Sequence, residues 1–93
     1  MTKIDEKFKL GKVVMSANAN STLDFTSVNN AIHKHADCDW GDLADEDWMR
    51  NNNAVTRDDG RLFSDYYNYN GKKFWIITEA DRSYTTVMMP DDY

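Results

Sequence analysis

The chain predicts an α+β domain, and three observations carry that expectation. Leu10 to Met15 is a short apolar run with β-branched Val13 and Val14 at its centre, the composition of a strand. After Asp24 the apolar residues Phe25, Val28, Ala31 and Ile32 recur at helical spacing. After Asp58-Asp59-Gly60 the period switches to alternation, interrupted at Asn70-Gly71. The predicted architecture is a small antiparallel sheet, made of the N-terminal strand and a C-terminal three-stranded meander, with two short helices packed on one face.

Each element follows from local chemistry. Residues 1–9 are charged and read as a flexible terminus, and Leu10 to Met15 is the first strand. Asn18 to Leu23 is good for one helical turn. Asp24 is an N-cap, because its carboxylate can accept the free amides of a first turn, and the helix it starts runs to about His35. Ala36 to Leu43 is a loop holding the Asp39-Trp40-Gly41-Asp42 turn. A second helix runs from about Asp45 to Thr56, with Asp45-Glu46-Asp47 at the positive end of its dipole and Arg50 and Arg57 later. Asn51-Asn52-Asn53 is a poor helix interior, so packing must hold that helix. Leu62 to Tyr67 alternates as a half-buried strand does. Asn70-Gly71 suits a type I′ hairpin, whose central residues need positive φ. Lys73 to Glu79 is apolar on both faces and belongs at the centre of the sheet. Ala80-Asp81-Arg82-Ser83 turns the chain into a last strand, Tyr84 to Met89, which Pro90 ends because proline cannot donate to a ladder.

Ninety-three residues make one domain, 1–93, with a modest core. A net charge of −5 and a pI near 4.8 argue against general binding to a phosphate backbone. No apolar run is long enough for a membrane span and no secretory h-region follows Met1, so a cytoplasmic protein with no membrane contact is expected. Cys38 is the only cysteine, which excludes an internal disulfide. The charge is uneven: eight acids between Asp37 and Asp59 face only Arg50 and Arg57, while lysines dominate residues 1–12. That acidic segment reads either as a solvated face around a helix start or as a contact surface.

Several residues invite chemistry. His33, His35 and Cys38 are zinc-capable, but a structural zinc site needs four such ligands and the chain has only three. On a helix His33 and His35 also point well apart. A Cys38–His35 nucleophile pair would need a base in hydrogen-bond reach and a third orienting group, and no motif surrounds it. The acidic pairs Asp45/Asp47 and Asp58/Asp59 lack the glycine-rich phosphate loop a magnesium site would use. No metal and no cofactor is therefore expected. The meander carries Tyr66, Tyr67, Tyr69, Phe74, Trp75 and Tyr84 with nearly balanced charge, which favours cross-strand packing over a stacking platform for bases. Two short helices cannot cover aromatics on both sheet faces, and an exposed apolar patch marks a protein partner or a homodimer contact.

The strings Asp39-Trp40-Gly41-Asp42-Leu43, Glu46-Asp47-Trp48, Gly60-Arg61-Leu62, Phe74 to Ser83 and Pro90-Asp91-Asp92-Tyr93 occur in that order. Over residues 8–93 the chain thus resembles a group of short bacterial proteins carried on plasmids and prophages. It departs from them at Ala44, where they tend to place a serine-like N-cap, and in the asparagine run at 51–53. The resemblance implies an accessory protein of a mobile element with no catalytic residues to carry over. The expected function is that of a non-enzymatic protein-binding protein, an inhibitor of a host defence nuclease of the CRISPR or restriction type, whose partner normally binds nucleic acid. The contact residues would be Asp39, Trp40, Asp42, Asp45, Asp47 and Trp48, an aromatic anchor amid charge, with the burial typical of large aromatics favouring instead a core Trp40 that locks the loop against the sheet. The alternative is a small enzyme or metal-dependent domain built on His35 and Cys38.

Overall fold

A computed structural model describes residues 6–93. Strand β1 (Lys12–Met15) is followed by helices α1 (Ala17–Thr22), α2 (Phe25–Ala36) and α3 (Asp45–Arg57). Strands β2 (Leu62–Tyr67), β3 (Lys73–Thr78) and β4 (Tyr84–Met88) form the meander, and a 3₁₀ turn, Pro90–Asp92, ends the chain. The α+β class holds, with the N-terminal strand and the meander in one four-stranded sheet ordered β1-β4-β3-β2. The sheet is mixed rather than wholly antiparallel, because β1 pairs parallel to β4. Topology requires this. The helical connection returns the chain to the end where β1 began, so β2 runs in the direction of β1. Two hairpins later β4 runs that way again.

The caps do what their side chains allow. Asp24 accepts the Ser27 amide at 2.8 Å and starts α2. Ser16 caps α1 by accepting the Ala19 amide, and donates in turn to Asp92 at 2.6 Å. Ala44 gives α3 no side-chain cap, so its acidic first turn stands alone against the free amides.

Cross-strand register places Leu62, Ser64, Tyr66, Phe74, Ile76, Thr78, Thr85 and Val87 on one face, and every one is buried. Against it α1 and α2 contribute Ala19, Val28 and Ala31. Phe25, expected in that stripe, is instead 81% exposed, because it sits in the first turn beyond the sheet's reach. A second cluster gathers Trp40, Ala54 and Leu62, with Phe8, Leu43, Trp48 and Val55 packed around them. Phe8 lies 5.9 Å from Trp40, and the Lys7 amide donates to the Ala36 carbonyl. Within the stretch expected to be a flexible terminus, Lys7 and Phe8 thus make tertiary contacts; residues 1–5 lie outside the described part.

The Asn70-Gly71 hairpin exists but is not type I′. Only Gly71 has positive φ, at 79°, and its amide donates to the Asn68 carbonyl. Asn68 holds the loop by accepting the Asn70 and Lys72 amides on its side-chain oxygen, so a wider turn replaces the two-residue one.

Candidate interaction site

The other sheet face carries Phe63, Trp75, Ile77, Thr86 and Met88, none of which belongs to the two core clusters, and the terminal 3₁₀ turn lies against β3 there. Phe63 and Trp75 meet edge to face at 4.9 Å, and Tyr93 meets Trp75 at 5.9 Å. Arg61 sits 5.4 Å over the Tyr93 ring and donates to its hydroxyl at 2.8 Å, so the chain end is drawn onto the sheet. A cleft results, floored by Phe63, Trp75 and Ile77 and walled on one side by Leu43, Asp47 and Arg50 from the start of α3. Asp47 and Arg50 pair at 2.9 Å on its rim. The Trp75 indole N–H is enclosed and has no hydrogen-bond partner among the described residues, as does Asp65 Oδ1 across the strand pair.

Asparagines position this wall. The Asn51 side chain donates to the Phe63 carbonyl at 2.7 Å and accepts the Phe63 amide at 3.2 Å. It thereby occupies the backbone that β2 turns away from β3, and Asn51 is buried where a helix former would be expected. Asn52 accepts the Trp40 indole N–H at 2.9 Å. One residue pair further along β2, the Asp65 amide and carbonyl bond to Trp40 and Asp42 backbone. Gly41 lets the loop come this close, since a Cβ there would strike the Asp65 carbonyl. The outer edge of β2 is thus sealed.

The expected contact residues separate. Trp40 is fully buried, edge-on to His35 at 5.2 Å, and is core, not an anchor. Trp48 is half-buried and tied to the Gly41 carbonyl. Asp39 is exposed: its carboxylate accepts the Gly41 amide and its carbonyl accepts the Tyr66 hydroxyl. Asp42 and Asp45 are exposed, and of the acids only Asp47 reaches the aromatic cleft. Sequence reading missed Phe63, Trp75 and Tyr93 as one constellation. The available signal was the two-faced apolar pattern of Phe74–Ile77.

His35 and Cys38 do not combine. His35 is fully buried, with Nδ1 on Ser64 Oγ and Nε2 on Thr78 Oγ1 at 2.9 Å. Thr78 bonds Thr85 at 2.7 Å, and Thr85 donates to the Leu10 carbonyl at 2.7 Å. Both ring nitrogens are taken, and burial lowers the imidazole pKa to about 3. Burial likewise raises the Cys38 thiol, away from the nucleophilic thiolate. No cluster of three metal-capable side chains occurs among the described residues. No described helix is long and apolar enough to cross a membrane. Comparison of the chain with protein-family models, with curated proteins and with solved structures finds no match.

Proposed function

We propose that this chain acts by binding another protein, without catalysis, through the aromatic cleft between the start of α3 and the sheet face of Phe63, Trp75 and Ile77. The observation that carries this reading is the Phe63–Trp75–Tyr93 floor with Leu43, Asp47 and Arg50 as its wall, beside the exposed acids Asp42, Asp45 and Glu46. Aromatic groups in a partly desolvated pocket supply binding free energy, and the surrounding charge sets the partner's sign and the association rate. Asp42, Asp45, Glu46 and Asp47 favour a basic partner surface of the kind that holds nucleic acid, consistent with an inhibitor of a nucleic-acid-binding defence protein carried by a mobile element. Of the side chains offered for an enzyme, His35 is fully buried with both ring nitrogens bonded and Cys38 is half-buried with its thiol pKa raised by burial, and neither lines the aromatic cleft, so nothing favours that second reading.

Affinity capture from a bacterial host, followed by binding measurements with the purified partner, tests this. Trp75→Ala is expected to weaken binding at least tenfold. Reversal of Asp42, Asp45 and Asp47 to lysine is expected to slow association and flatten its salt dependence. Partner binding by both variants as tight as the parent's, with folding verified by circular dichroism, refutes the cleft.

A further inference from the structure

The two edges of the sheet are treated differently. The β2 edge is sealed by Asn51 and the Gly41 loop. The β1 edge is not. The Lys12 and Ser16 amides donate to the Ser83 and Val87 carbonyls, so the even-numbered residues of β1 bond toward β4. Val13 and Met15 therefore turn their N–H and C=O groups outward, and among the described residues nothing meets them. Their side chains are also uncovered, at 43% and 36% exposure. An open edge carrying exposed apolar side chains is a template for another strand.

We propose that β1 pairs antiparallel with β1 of a second copy of this chain, making a two-fold homodimer with a continuous sheet through both subunits. The strand is self-complementary in one register. With Val14 on the two-fold axis opposite the partner's Val14, Val13 faces the partner's Met15, and the outward N–H and C=O groups of both residues are used in each copy. The exposed Val13 and Met15 side chains then cover one another. On the opposite face Lys12 lies across from the partner's Ser16. That hydroxyl holds the Asp92 carboxylate at 2.6 Å, so each Lys12 meets an anion on the other copy, twice per dimer. Shifting the register by two residues in either direction takes Lys12 away from Ser16 and leaves outward groups of the strand unpaired. Charge and hydrogen bonding therefore select the same arrangement. The second copy is favoured over an unrelated strand because only the chain's own sequence brings both the Val13–Met15 match and the Lys12–Asp92 match.

Sedimentation equilibrium of the purified chain, with substitutions on the axis, tests the dimer separately from partner capture by the cleft. The parent is expected to be dimeric and to dissociate on dilution. Val14→Lys and Val14→Glu each set like charges against each other on the axis and are expected to be monomeric, while an equimolar mixture of the two re-forms a dimer. Val13→Pro removes one outward donor without touching the ladder to β4, and is expected to weaken the dimer at least tenfold with the fold retained by circular dichroism. A parent that remains monomeric at millimolar concentration overturns the proposal. So does a dimer that survives Val13→Pro, or a failure of the Val14→Lys and Val14→Glu chains to associate with each other.

Discussion

His35 has no room for ambiguity about its proton. Thr85 donates to the Leu10 carbonyl, so Thr78 must donate to Thr85 and accept from His35, which places the ring proton on Nε2. Nδ1 then accepts from Ser64. A second proton would have to displace the Ser64 donor in a site closed to water, which is why the folded pKa is lowered to about 3. In the unfolded chain the ring titrates near its ordinary value of 6.5. Above that pH neither state is protonated and stability is complete. As the pH falls from 6.5 toward 3 only the unfolded state takes up the proton, so stability is lost at up to about 1.4 kcal/mol per pH unit. Urea unfolding between pH 7.5 and 5 is expected to show that slope, and His35→Gln, which cannot titrate, to flatten it. Equal slopes in the two proteins would mean that the carboxylates alone set the acid limit.

At the scale of elements, α3 is an unfavourable helix rescued by its neighbours. Three consecutive asparagines cost helix propensity, yet the first binds both backbone groups of Phe63 and the second binds the Trp40 indole. Asn53 is exposed and makes no such bond. The three positions should therefore respond differently. Asn51→Ala leaves the Phe63 amide and carbonyl without partners and is expected to destabilise by about 2 kcal/mol. Asn53→Ala is expected to stabilise by up to about 0.5 kcal/mol from propensity alone. Thermal or urea unfolding of the two variants checks both signs; a similar loss at both positions would assign the run a role other than edge pairing.

For the molecule as a whole, the segment before β1 closes the second core. Phe8 packs against Trp40, stands edge-on to His35 at 5.4 Å and lies 6.0 Å from the Arg82 guanidinium. Arg82 is itself buried and donates to the carbonyls of Gly60 at 2.7 Å and Ala54 at 3.2 Å, tying the β3–β4 turn to the end of α3. Removing the ring opens a path for water to Trp40 and His35 together. Phe8→Ala is expected to cost about 2 kcal/mol, less than a fully enclosed phenylalanine because Phe8 is only partly covered. Tryptophan emission read alongside urea unfolding should shift to the red in the folded variant; unchanged emission and stability would return residues 6–9 to the status of a loose end.

What the amino-acid sequence by itself determined is what neighbouring residues decide between them. Asp24 capped its helix, Pro90 ended β4, Phe74–Ile77 declared a central strand, and a hairpin formed around Gly71, because capping, ring geometry and side-chain alternation act within a few positions. Tertiary structure alone decided the rest. Whether Trp40 was anchor or core depended on Phe8 and Asn52, and the role of His35 depended on Ser64 and Thr78, 29 and 43 residues away. The parallel pairing of β1 followed from the route of the helical crossover, a property of no single segment. The cleft was half legible: its acidic wall and its aromatic floor each stood out as local patterns, but their meeting at Asp47 and Trp75 requires β2 to lie between α3 and β3. Burial and edge pairing are set by contacts between distant segments, and those exist only once the chain has closed on itself.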